Sequence, residues 1–180
     1  TRRIHYGAPI QFVSSDQVKE LEPELTPDIV LASFCPVDGH VNPLRVGKEF
    51  HRIACQLNVE VFLSCHVQRI LPNKKLFIVE STGHQFQGKR VLLAAGAWLP
   101  DLLHFFGVSN DLTLRTNQMI ITERAPWRLR RYITVATGNL SIKQLESQAI
   151  AIGGGWQGYG NLSPRSETIN FENFCGNIRL

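Results

Sequence analysis

Apolar and polar positions change their spacing several times along the chain, and each change marks an element. Ser14 and Gln17 stand at the separation of a capping box, so DQVKELE is expected to begin a short helix that Pro23 closes. From residue 27 to 37 apolar residues mix with Pro36 and run into the turn pair Asp38-Gly39. The clearest helix follows: Asn42 is placed to cap it, Pro43 suits its first position, and Val46, Phe50, Ile53, Ala54 and Leu57 recur on one face. Arg45, Glu49 and Arg52 share the opposite face, and Asn58 suits a left-handed stop. VEVFL and HVQRIL then read as strands, PNKK as a turn, LFIVES as a strand and Thr82-Gly83 as a second turn.

The run VLLAAGAWL, residues 91–99, has consecutive rather than alternating apolar residues, the pattern of a central strand covered on both faces of a parallel sheet. Gly96 ends it, and Pro100-Asp101 with Leu102, Leu103 and Phe106 predicts a short helix that Gly107 terminates. Beyond Asn110 the texture becomes extended, in LTLRTNQMIITE, RYITVAT and SQAIAIG, separated by turn residues such as Gly138-Asn139. An antiparallel sheet is expected there. Ile169, Phe174 and Ile178 then return to a loosely helical spacing.

Composition narrows the class. With 43% apolar and 19% charged residues in 180, the chain can bury a core of its own, which excludes a disordered or fibrous protein. A net charge of +4 is a mild excess that selects no partner. The longest apolar run falls well short of the roughly 20 residues that cross a bilayer. The opening TRRIHYGAPIQF has no apolar core of a secretory signal, so a cytoplasmic protein is expected. Cys35, Cys55, Cys65 and Cys175 form no close pair, and the six histidines never stand four apart on a helix, so no metal is expected. Met119 is the sole methionine, and the helical spacing near Leu180 stops without a tail, so the chain is expected to be a piece of a longer protein.

Two motifs invite functional readings. GGGWQG, residues 153–158, satisfies G-x-G-x-x-G after a strand, but YGNLSP behind it offers a loop where a dinucleotide fingerprint needs a helix N-terminus. It reads as a glycine-rich strand exit. RAPWRLRRY gathers Arg124, Arg128, Arg130 and Arg131 around Trp127 and Tyr132, which makes a noncatalytic module binding an anionic partner such as RNA the alternative reading. No G-x-S-x-G elbow appears.

A combination remains: DGHVNP before the amphipathic helix, HVQRI after it, and VLLAAGAW beyond. In this order the three resemble the central portion of the FAD-dependent oxidoreductases of the D-amino acid oxidase family, which includes glycine oxidase, sarcosine oxidase and D-amino acid dehydrogenase. LEPELTP, NQMIITERAP and AIAIGGG resemble further stretches of the same enzymes. Arg115 to Gln118 departs from them, reading RTNQ where many relatives place a glycine before the glutamine.

The resemblance implies a mixed α/β and α+β fold, part of a parallel-sheet FAD-binding domain joined to a mainly antiparallel substrate domain. It implies that residues 1–34 lead into the substrate domain, 35–110 form a partial FAD-binding domain and 111–180 continue the substrate domain. It carries FAD contacts onto Val67, Ala95, Gly96, Ala97 and Trp98. Gly96 suits this physically, because a residue without a side chain lets a dinucleotide approach the backbone where a strand ends. The implied reaction oxidises a small-molecule amine or amino acid by hydride transfer from the α-carbon to FAD N5, giving an imine. Gln118, Tyr132 and Tyr159 are substrate-pocket candidates, and no catalytic residue is named. The family's G-x-G-x-x-G segment does not precede Thr1, so the chain alone is expected to hold FAD weakly and to be inactive.

Overall fold

In the computed structural model of the chain, which describes residues 5–136, 138–162 and 165–180, the capping box forms as the sequence requires. The Ser14 N–H donates to Gln17 Oε1 at 2.9 Å and the Gln17 N–H donates back to Ser14 Oγ. This starts helix α1 (Ser15–Leu21), directly after strand β1 (Gln11–Ser14). Strand β2 (Leu31–Phe34) pairs antiparallel with β1, Gln11 opposite Phe34.

Two compact units result, one of residues Thr1–Val41 with Thr116–Leu180, the other Asn42–Arg115. In the second, Asn42 caps helix α2 (Pro43–Gln56) by accepting from the N–H groups of Leu44 and Arg45, with Pro43 at its start. Asn58 ends it at φ 57, where the Val59 N–H reaches Ala54 O at 2.9 Å and the Asn58 N–H reaches Cys55 O at 3.1 Å, a Schellman arrangement. On its solvent side Arg52 pairs with Glu49 and holds that carboxyl below its usual range. Strands β3 (Val67–Asn73), β4 (Leu76–Ser81) and β5 (His84–Gly88) follow as an antiparallel meander. Its turns fall at Lys74-Lys75 and Thr82-Gly83, with Lys74 and Gly83 at positive φ. A 3-10 turn (Gly96–Trp98) leads into helix α3 (Leu99–His104), and Gly107 at φ 65 closes it as expected.

The first unit carries the larger sheet. Strands β6 (Ile120–Arg124), β7 (Ile133–Thr134), β8 (Ser141–Gln144) and β9 (Ala149–Gly153) lie in the order β6-β9-β8-β7, all pairs antiparallel. The antiparallel sheet expected beyond Asn110 is therefore present. A hairpin of β10 (Tyr159–Leu162) and β11 (Arg165–Thr168) comes next, then helix α4 (Phe171–Arg179) with Asn170 as N-cap. Val13, Val18, Leu129, Ala149 and Ala151 form this unit's buried apolar set.

Mixed helices and mostly antiparallel sheets agree with the fold class read from the sequence, but two expected strands differ. Residues 59–63 and 91–95 carry no strand assignment, and Leu92 is 90% exposed. A strand is defined by its neighbours, and these runs have the sequence of strands without a ladder partner among the described residues. The apolar face of α2 shares their condition, with Phe50 70% and Leu57 71% exposed.

Candidate functional site

Within the second unit, Val67 opens β3 opposite Ser81, half-buried, with a register shift between it and Arg69. Ala95 precedes the 3-10 turn formed by Gly96, Ala97 and Trp98. Gly96 sits at φ +54, and a Cβ placed there would meet no atom within 4 Å. No neighbouring side chain accounts for the bareness of this turn. The glycine satisfies a left-handed backbone and leaves the space over it open.

The first unit contains a cavity of about 520 Å³ at one end of the four-stranded sheet, lined among others by Gln118, Met119, Tyr132, Thr134, Ser141 and Gly153. The register explains why these residues meet: Thr134 pairs with Ser141 and Ser141 with Gly153, so their side-chain positions form a row across one face. At Gly153 a Cβ would lie 3.4 Å from Ser141 Oγ and 3.7 Å from the Met119 methyl, which extends the row to the segment leading into β6. Gly154 and Gly155 then turn the chain at φ 132 and 89. At Gly154 any side chain would strike the Asn139 carbonyl. The glycine run passes into β10 rather than into a helix, in agreement with its reading as a strand exit.

Of the three pocket residues expected from the sequence, Gln118 and Tyr132 line the cavity and Tyr159 does not. Gln118 and Tyr159 meet instead at Asn170. Gln118 Nε2 donates to Asn170 O at 3.0 Å, the Asn170 N–H donates to Gln118 Oε1 at 3.1 Å, and Asn170 Nδ2 donates to the Tyr159 hydroxyl at 2.9 Å. These two side chains fasten the start of α4. Its far end holds the cavity wall: Asn177, 2% exposed, donates to Gly153 O at 3.0 Å and to Asn139 O at 3.4 Å. The Trp156 indole N–H also donates to Asn139 O, and Gly176 lies against the Trp156 ring.

Sequence spacing does not single out Thr134, Ser141, Gly153 or Asn177 as site residues. The first two alternate with Ile133 and Ile142, the period-2 signal that places them together on a face, but the pairing that joins their strands is not local information.

Two of the four arginines in the basic stretch 124–132, Arg128 and Arg131, turn their guanidinium groups to internal use. Glu22, 4% exposed, accepts from the Arg130 N–H at 3.0 Å and from Arg131 Nη1 at 3.3 Å, and Arg131 also lies over the Phe34 ring. Arg128 pairs with Glu24 at 3.1 Å. Gln144 Oε1 accepts from the N–H groups of Arg128 and Leu129, while its amide donates to carbonyls that include Ala125 and Pro126. Nothing in this arrangement supports the alternative of a nucleic-acid surface. Among the described residues there is no cluster able to hold a metal ion and no helix long and apolar enough to cross a membrane.

The profile of the FAD dependent oxidoreductase family, DAO, matches residues 1–177. The chain belongs to this family. An opine oxidase subunit from Rhizobium meliloti is 33% identical over 114 residues, covering 63% of this chain and 30% of that protein. Glycine oxidase of Bacillus subtilis (strain 168) is 27% identical over 101 residues, 56% of this chain and 27% of that protein. The crystal structure of glycine oxidase from Geobacillus kaustophilus superposes with a TM-score of 0.74 at 21% identity, over 92% of this chain and 42% of that one. The family's shared fold is thus present, and the chain spans less than half the length of each of these relatives.

The cofactor implied by membership is FAD. The residues present fit such a group at the 3-10 turn, where Gly96 exposes backbone with no internal neighbour over it and Ala97 and Trp98 are exposed beside it.

Proposed function

We propose that the chain is a central part of a flavoprotein that oxidises an amine or an amino acid. The observation that carries this reading is the family match over nearly the whole chain, together with the open, left-handed Gly96 at the turn where the resemblance puts the cofactor. FAD, when bound, would supply the two-electron acceptor for oxidation of the amine to an imine, the expected route being hydride transfer from the substrate α-carbon.

The chain's own residues do the holding and orienting. Residues 42–115 contribute Val67 and the turn Ala95, Gly96, Ala97 and Trp98 to the cofactor, through backbone contact at the glycine. The rest of the chain contributes the cavity. Tyr132 donates its hydroxyl to the substrate carboxylate, as a charge-assisted hydrogen bond. Gln118 and Tyr159 act one step back, by fixing Asn170 and with it the helix that shapes the wall. The unpaired runs 59–63 and 91–95 are strands of a parallel sheet completed by further strands of the longer protein, and the exposed apolar face of α2 packs on that sheet.

The names of the relatives support an amine substrate: glycine for one group, opines for the other. Dye-reduction and peroxide assays of the full-length protein across glycine, sarcosine and D-amino acids test the reaction. Turnover of at least one is expected, and a folded, flavin-loaded protein that oxidises no amine overturns it. The 180-residue chain with added FAD is expected to stay colourless after gel filtration, and stoichiometric yellow binding would contradict the reading of a central part.

A further inference from the structure

Positive charge is concentrated at one end of the β3–β4–β5 meander. Lys74 and Lys75 form the β3–β4 turn, and because Phe77 pairs with Gly88, the residues that follow β5, Lys89 and Arg90, leave the sheet at that same end. Neighbouring strands lie about 5 Å apart, so four exposed cations share an edge about 10 Å wide, close to the screening length at physiological salt. The meander's single acidic residue, Glu80, stands opposite Arg69 toward the other end. The formal charge of the whole chain is +4, and its remaining fifteen basic residues are matched by fifteen acidic ones. An excess equal to that of the whole chain thus stands at one end of one small sheet. Like charges this close raise the energy of the folded chain unless an anion meets them.

Apolar surface adjoins the cluster. The Phe106 ring meets the Phe77 ring edge to face at 6.2 Å, which brings the end of α3 to the basic end of the meander. There the Val108 N–H donates to Leu103 O and Gly107 turns the chain at φ 65, a fixed turn that leaves Phe105 37% and Val108 47% exposed. Pro72, opposite Phe77, is exposed on the hairpin itself.

We propose that this end docks the full-length protein on an anionic membrane surface, with Lys74, Lys75, Lys89 and Arg90 among the lipid phosphates and Phe105 and Val108 entering the headgroup layer. A hairpin turn exposed from Pro72 to Lys75 suits a deformable plane. Three of the four cations are lysines, which interfaces with folded protein partners disfavour. Phe77 and Phe106 pack on each other and are not free to stack on the bases of a nucleic acid. Val67, one of the positions the resemblance assigns to FAD, opens β3 about 20 Å away, so the docking end is not the cofactor end. The proposal stands independently of the reaction.

The test mixes full-length protein with sedimenting vesicles of phosphatidylcholine, alone or with about a third phosphatidylglycerol. Binding to the anionic vesicles is expected at about 0.1 M salt, with a fall of at least tenfold by about 0.5 M and none to neutral vesicles. Each basic residue near such a surface strengthens partition about fivefold, so Lys74→Gln/Lys75→Gln/Lys89→Gln/Arg90→Gln is expected to lose at least tenfold. Lys74→Gln/Lys75→Gln, confined to an exposed turn and expected to keep the parent's melting point, should lose part of this, and Lys74→Arg/Lys75→Arg none. Phe105→Ser/Val108→Ser is expected to weaken binding without changing its dependence on salt. Absence of binding to anionic vesicles, equal binding to neutral ones, or unchanged partition in the glutamine variants would overturn the proposal. Tighter binding of polyglutamate or transfer RNA than of the vesicles, lost in the same variants, would assign the cluster to an acidic protein or a nucleic acid and overturn it as well.

Discussion

Asn177 reaches from the last turn of α4 to the end of β9, its side-chain amide 3.0 Å from the carbonyl of Gly153. A second contact runs from the same Nδ2 to Asn139 O at 3.4 Å. One buried amide therefore holds two lining residues of the cavity, on the β7–β8 turn and on the β9 exit. Asn177→Leu keeps the volume and removes the donor, so buried carbonyls lose their partner. A loss of about 1 to 3 kcal/mol in urea unfolding is expected. An unchanged midpoint would show that water replaces the amide without cost.

Gly176, one position earlier, sets two effects against each other. Alanine is the better helix former by about 1 kcal/mol. Its Cβ would lie 2.8 Å from two atoms of the Trp156 ring, and the indole N–H is tied to Asn139 O, so the ring cannot simply swing aside. Overpacking of this kind costs about 1 to 3 kcal/mol, and the crowding wins. Gly176→Ala is expected to lower the thermal midpoint and to change the protein's tryptophan emission, whereas a stabilised protein would mean that the helix shifts freely.

How much of this is legible in the sequence depends on distance along the chain. The caps at Ser14 and Asn42, the stop at Asn58 and the turns at Thr82-Gly83 and Gly107 are local devices, and each forms where its residues predict. VEVFL and the run beginning at Val91 have strand composition yet stand unpaired, because composition expresses a preference for neighbours and cannot supply them. The cavity is half legible. Tyr132 and Gln118 line it, but Gln118 is engaged with Asn170, fifty-two positions away, a partner that only tertiary structure brings close. The acidic partners of this basic stretch escape sequence reading for the same reason, since Glu22 and Glu24 are remote in sequence.

Those two glutamates make a contrast that can be measured. Glu24 pairs with Arg128 where the two side chains are 47% and 53% exposed, a setting in which an ion pair contributes between nothing and about 1 kcal/mol. Glu22 is 4% exposed and accepts from both a main-chain N–H and a guanidinium. Glu24→Gln is expected to be near neutral in chemical denaturation, and Glu22→Leu to cost about 2 to 3 kcal/mol because the Arg130 N–H loses its acceptor and Arg131 Nη1 keeps only the Leu21 carbonyl. Equal effects would mean that the 124–132 loop does not depend on its buried carboxylate.

Gly96 separates a requirement of the backbone from a requirement of the ligand. At φ +54 most residues would be strained, but asparagine enters the left-handed region several-fold more readily than others. The space over its Cβ is open, so an asparagine side chain meets nothing within 4 Å at its first atom. Gly96→Asn should therefore leave the fold intact, with far-UV dichroism and unfolding midpoint close to those of the parent. If FAD lies against this turn, the same side chain occupies the cofactor's place. The full-length variant is then expected to be purified with most of its flavin absorbance lost and to require at least tenfold more added FAD for half-saturation. Gly96→Ala supplies the control: a smaller side chain, more backbone strain, and a milder effect on flavin than on stability. Full retention of flavin by a well-folded Gly96→Asn protein would place the cofactor elsewhere.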